Sequence, residues 1–187
     1  MQASHGGYYA FFSIVLEGAG YSRGTIGVLW ALGVAAEMVA MVASAALLRR
    51  FGVASLMTGC LGLAVVRWGL NAATSWLPAL LVAQLLHAFT FGAFHVAAVT
   101  GTHRLFPESL RSSGQSLYSG LTYGAGNALG FLGAGAIYKW GGPGPMFLAA
   151  AGMALAAAFL SLGLWRETSL RLPEAVAASA SGCGGLE

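Results

Sequence analysis

From Trp76 to Thr102 the chain carries no Asp, Glu, Lys or Arg. A helix needs about 20 apolar residues to cross roughly 30 Å of hydrocarbon, so this one segment is long enough to span a membrane. The pattern recurs along the chain. Apolar runs predict helices over residues 2–16, 25–48, 54–74, 76–102, 112–138 and 145–165. Composition agrees: 57% of the residues are hydrophobic and 8% are charged, against about 25% charged in a soluble domain. The alternating segments of about ten residues that build a membrane β-barrel are missing from the pattern. In lipid that leaves a helix bundle, because only a helix satisfies its own backbone there. The expected fold class is all-α: a polytopic membrane protein with six transmembrane helices in a 3+3 arrangement. Residues 1–166 form the bundle, and 167–187 are expected to be a disordered cytoplasmic tail. The lipid bilayer is therefore the first partner.

The formal net charge of +3 comes with no basic stripe or tail, so no nucleic-acid partner is expected. The charges read instead as marks of orientation. Arg49 and Arg50, Arg104 and Arg111, and Arg166 and Arg171 fall on one side of the six spans, and only Arg23 and Lys139 fall on the other. That bias puts the C-terminus in the cytoplasm. Cys60 and Cys183 are too far apart in sequence to suggest a disulfide framework or a metal site. The start, with Ser4, His5 and two glycines, does not read as a signal peptide. The first span is about 22 Å long at 1.5 Å per residue, which is short. The favoured expectation is that the chain begins in mid-helix; a tilted helix anchored by Tyr8 and Tyr9 is the alternative.

Ionisable groups at membrane depth are costly and are functional candidates by default. Three stand out: Glu37 in the second span, Arg67 in the third and His87 in the fourth. Counting inward from the outer helix ends gives depths of roughly 18, 10 and 16 Å. The reach of an arginine side chain lets all three meet, and a static ion pair that only fixes helix packing is the plainer reading. Gln84, one turn outward of His87, extends the same polar sector or bonds a neighbouring helix. His5, Tyr8, Tyr9 and Phe12 share one face of the first span, and such amphipathic rings suit an aromatic ligand or an interfacial anchor. Phe91 and Phe94 offer an aromatic wall beside His87. His95 is expected in a wetted vestibule and His103 at an exposed helix end. In the fifth span Ser119, Tyr123, Gly126, Gly130 and Gly133 form a stripe suited to close helix packing, with Asn127 and Tyr118 as weaker pore candidates. The sequence shows no Ser/His/Asp set, HExxH, P-loop or CxxC, so neither an enzyme nor a cofactor or metal site is expected.

The segments "SHGGYYAFFSIVLEGAGYS", "TIGVLWALGVAAE", "LLRRFG", "VVRWGLNAATS", "LLHAFTFGAFH" and "GQSLYS" together resemble the C-terminal half of a major facilitator superfamily transporter. Within that superfamily the chain looks most like the 3-phenylpropionate transporter-like family, a relative of the lactose permeases. The resemblance covers roughly residues 2–166. It implies that the six spans correspond to helices 7–12 of a twelve-helix protein working by proton-coupled alternating access. It also carries over three residues: Glu37 matches a substrate-coordinating carboxylate, Arg67 an arginine that assists deprotonation, and His87 a histidine that couples substrate to proton. One turn after that histidine the permeases place a proton-carrying carboxylate. Here the position is Thr90, a departure that leaves the proton carrier open.

The resulting expectation is half of a secondary active transporter for a small organic solute, such as an aromatic acid, coupled to protons. Half of a sugar:proton symporter, half of a drug efflux pump and a non-transporting membrane remnant are the alternatives. The implied partners are the solute, protons, and either a missing N-terminal six-helix half or a second copy. The expected location is a bacterial inner membrane.

Overall fold

The computed structural model describes the backbone of residues 1–181 and the side chains of residues 1–163. Helix α1 is Gln2–Gly18. The trace then runs helically over Arg23–Ala73, but Gly52 breaks it with φ 74° and ψ 170°. A residue with a Cβ is strained at that positive φ. The break divides the segment into α2 (23–51) and α3 (53–73). Helix α4 is Leu77–Leu105, α5 covers 111–141, and α6 is Pro143–Ser181. These six rods follow the six expected spans to within a few residues at every described end except the last.

Local chemistry places the boundaries. At the start of α2 the Ser22 hydroxyl accepts from the Thr25 backbone N–H at 3.2 Å, a side-chain cap on an otherwise free donor. A proline occupies the first turn of α4, where its missing N–H costs nothing. Gly142, at φ 75°, ends α5 and lets Pro143 open α6. Within the basic "RRFG" segment Arg49, Arg50 and Phe51 stay helical, and Gly52 makes the tight turn. The gap between the fourth and fifth expected spans, residues 103–111, shrinks to Phe106 and Pro107, followed by one 3₁₀ turn, Glu108–Leu110.

Two differences concern helix interiors and the tail. Both α4 and α5 contain a π turn, at Ala88–Ala93 and Gly120–Gly126, which hydropathy does not encode. The α6 backbone continues helically to Ser181, across much of the stretch expected to be a disordered tail. Its Ala and Leu residues are good helix formers and extend a helix already nucleated. Residues 182–187, including Cys183, lie outside the described residues, as do the side chains of Arg166 and Arg171.

The main core joins α1, α2, α3, α4 and α6 through Tyr8, Phe12, Leu16, Leu29, Trp68, Leu80, Met146 and Phe147. A smaller core of Leu56, Cys60, Ala93 and Ala97 joins α3 to α4 nearer Gly52. Helices α3 and α6 are tied by the stacked Trp68 and Phe147 rings, 6.2 Å apart, and by a 2.7 Å hydrogen bond between the Thr58 and Ser161 hydroxyls. Helices α1 and α5 approach closely at Gly6 and Gly130, where any added Cβ would strike the facing backbone. The expected small-residue stripe on α5 is therefore only partly a packing surface. Gly126 and Gly130 face α1, whereas Gly133 meets nothing within 4 Å.

Candidate functional site

Glu37 and His87 come together as expected. The His87 Nε2 lies 3.6 Å from the Glu37 Oε2, at ion-pair range but too far for a good hydrogen bond. One glycine makes the approach possible: Gly92 of α4 lies against the Glu37 backbone carbonyl, whereas a Cβ at Gly33 of α2 would meet His87 and Gln84 at ordinary contact distance. The His87 side chain is 4% exposed and that of Glu37 is 17% exposed. Glu37 is thus the more exposed member of the pair.

Arg67 does not join them, and the three-way meeting expected from depth is corrected on this point. Its guanidinium is turned into α4 and α1 instead. Nε donates to the Ala83 carbonyl at 2.9 Å, and Nη1 donates to the Thr90 hydroxyl at 3.3 Å and to the His5 Nε2 at 3.2 Å. No carboxylate lies within 4 Å of it among the described residues. The physical reason is the aromatic surround. The guanidinium carbon sits 4.3 Å from the Tyr8 ring centroid and 4.3 Å from that of Trp68. Cation–π contacts reach about 2 kcal/mol or more when desolvated, and hydrogen bonds to a charged group add about 1.5–3 kcal/mol each. Insertion scales put a central arginine at a cost of about 2.5–3.5 kcal/mol, so these contacts together are large enough to hold the cation inside. Nη2 has no hydrogen-bond partner.

The polar side chains around Arg67 form a connected set. Arginine only donates, so the His5 Nε2 must accept, and the His5 Nδ1 then carries the proton and donates to the Met1 carbonyl at 3.1 Å. Tyr8 donates to the Gln84 Oε1 at 3.0 Å, and the Gln84 Nε2 donates to the Leu29 carbonyl at 3.0 Å. Gln84 therefore bridges α1, α2 and α4. Thr90 accepts from Arg67 and lies 3.5 Å from the His87 carbonyl. Tyr9 stacks on Trp30 at 6.3 Å and meets the His87 ring edge-on at 6.5 Å. Phe91 lies 5.5 Å from the His87 ring and 6.1 Å from the His5 ring.

A second, looser group lies farther along α4. The Tyr123 hydroxyl and the His95 Nδ1 are 2.6 Å apart and link α5 to α4. Phe91 stacks on His95 at 6.3 Å, between the two groups. The Tyr118 ring is 6.3 Å from that of Tyr123 and faces a cavity of about 260 Å³ with Thr102 and Arg104. Asn127 joins neither group, and its Oδ1 has no partner. Sequence reasoning did not single out Trp68 and Gly92. The tryptophan next to a buried arginine in "VVRWG" was a readable signal for the first, but nothing in the sequence marks Gly92 as the α2 contact.

Known proteins fit this architecture. The model of the MFS_1 like family matches residues 1–149. Over 161 residues the chain is 38% identical to the probable 3-phenylpropionic acid transporter of Escherichia coli (strain K12). That match takes in 86% of this chain and 42% of the relative, so the chain spans less than half of the relative's length. In fold, the chain is similar to the crystal structure of nucleoside transporter NupG, with a TM-score of 0.67 at 19% identity over 74% of this chain and 36% of that one.

Proposed function

The chain belongs to the MFS_1 like family of membrane transporters, and from that premise we propose that it forms half of a proton-coupled carrier for a small organic acid. The supporting observation is the Glu37–His87 contact at 3.6 Å, an acid–base pair inside the bundle that can share one proton as a net-neutral pair and, on releasing it, leaves the Glu37 carboxylate charged beside a neutral imidazole. Arg67 stands close by as a fixed cation that attracts an anionic solute. Tyr9 and Phe91, both half-buried beside His87, supply ring surfaces that suit an aromatic solute. The name of the 38% identical relative favours an aromatic acid such as 3-phenylpropionate over a sugar. A second six-helix half, or a second copy, completes the site, because carriers of this fold bind solute between their halves. The reading places Arg49, Arg50, Arg104, Arg111 and the C-terminus on the cytoplasmic side of a bacterial inner membrane.

The test joins this chain to the N-terminal part of the E. coli relative and reconstitutes the chimera in proteoliposomes. Added 3-phenylpropionate is expected to drive proton uptake, and Glu37→Gln is expected to reduce it by about tenfold or more, the equivalent of 1.4 kcal/mol. Unchanged proton movement in Glu37→Gln removes that carboxylate from the mechanism. The 187-residue chain alone is expected to show no uptake; uptake by a monomeric chain overturns the need for a second half.

A further inference from the structure

Arg67 is fully buried, yet no acid of the described chain touches it. Its two faces are occupied by rings whose positions are themselves held. Trp68 is 0% exposed, donates from Nε1 to the Ser4 hydroxyl at 3.2 Å and stacks on Phe147. Tyr8 is 1% exposed and is tethered through its hydroxyl to Gln84. Neither ring can swing away without breaking a buried hydrogen bond. The negative face of each π system is turned to the cation, the geometry in which ring quadrupoles attract positive charge.

We propose that Tyr8 and Trp68 together serve as the counter-ion of Arg67, which makes Trp68 a positioning residue of the transport site. The groups that face the guanidinium are His5 and Tyr8 from α1, Trp68 from its own helix, and the Ala83 carbonyl and Thr90 from α4. None of them is a carboxylate. Protonation of the Glu37–His87 pair therefore does not release Arg67, and the cation keeps its place through the transport cycle. The inference takes the cluster as a transport site but does not depend on the solute.

A double-mutant cycle tests it in the intact 187-residue chain, purified in detergent and unfolded reversibly with SDS. Trp68→Leu is expected to lower the unfolding midpoint when Arg67 is present, and to lower it by roughly one third as much or less in an Arg67→Met background. Trp68→Phe, which keeps a ring, is expected to recover about half of the loss. The coupling is expected to be equal at about pH 7.5 and about pH 8.5, because Trp68 does not titrate and this interval lies above the ordinary histidine range of the neighbouring His5 and below that of tyrosine. Equal shifts in both backgrounds would show that Trp68 only fills space and would overturn the proposal. A coupling that changes with pH would assign the counter-ion to a titrating group and overturn it as well. If Trp68→Leu does not fold, Trp68→Phe carries the same cycle. Proton uptake by the chimera is a separate readout, so the failure of the transport reading would be seen independently.

Discussion

Helices α4 and α5 each contain one π turn, and the two turns sit in opposite surroundings. In α4, Ala88, Thr90, Gly92 and Ala93 are buried. Thr90 is held by Arg67, and Gly92 lies against Glu37 of α2. In α5, no residue of Gly120–Gly126 is buried, and Gly120 and Gly124 meet nothing within 4 Å. Its lateral support is the Tyr123–His95 hydrogen bond and, at its last residue, the approach of Gly126 to α1. The same backbone irregularity thus does two jobs. In α4 it is clamped from several sides and holds the site residues in register. In α5 it is rich in glycine and poorly supported, which makes bending there inexpensive.

The largest expected effect breaks the clamped turn. A Cβ at position 92 would lie 2.9 Å from the Glu37 carbonyl oxygen and 3.2 Å from its Cγ. Gly92→Val is therefore expected to destabilise the chain by about 3 kcal/mol in SDS unfolding and to separate Glu37 from His87. A loss near zero would mean that α2 slides freely over α4. Next comes Thr90→Val, which takes the acceptor from Nη1 and is expected to cost about 1–2 kcal/mol in the same assay. If it is silent, Thr90 is not what holds Arg67 against the turn. The smallest effect has the opposite sign. Gly124→Ala fills open space and lowers backbone entropy in the unfolded chain, so a gain of about 0.5–1 kcal/mol is expected. A loss there would show that the α5 turn is as tightly determined as its neighbour, and the contrast would fail.

How much of this was legible beforehand differs between residues. The spans around Leu80 and Phe147 could be read because crossing a membrane is a requirement of length and apolarity alone. The nearness of Glu37 and His87 could also be read, since both lie near mid-helix on spans adjacent to the same core. Arg67 could not be placed in the same way. Counting at 1.5 Å per residue gives depth, but not the direction a side chain takes around the helix axis. The choice between Glu37 and the Tyr8–Trp68 rings was a matter of direction. Both π turns escaped for a related reason, because "AFTFGA" and "GLTYGAG" have the hydropathy of ordinary helix and differ only in hydrogen-bond register.

By itself the sequence determined that this chain is a bundle of apolar helices, with Gly52 and Gly142 among its turning points, and that it carries an acid, a cation and a histidine at membrane depth. Those properties follow from local composition, because hydrocarbon demands a self-satisfied backbone wherever the chain enters it. Tertiary structure alone decided the partnerships: His87 with Glu37, Arg67 with Thr90, His5 and two aromatic faces, and Tyr123 with His95. Those depend on how the helices are rotated and how near a glycine such as Gly92 lets them come, and that is settled only when all the rods pack at once.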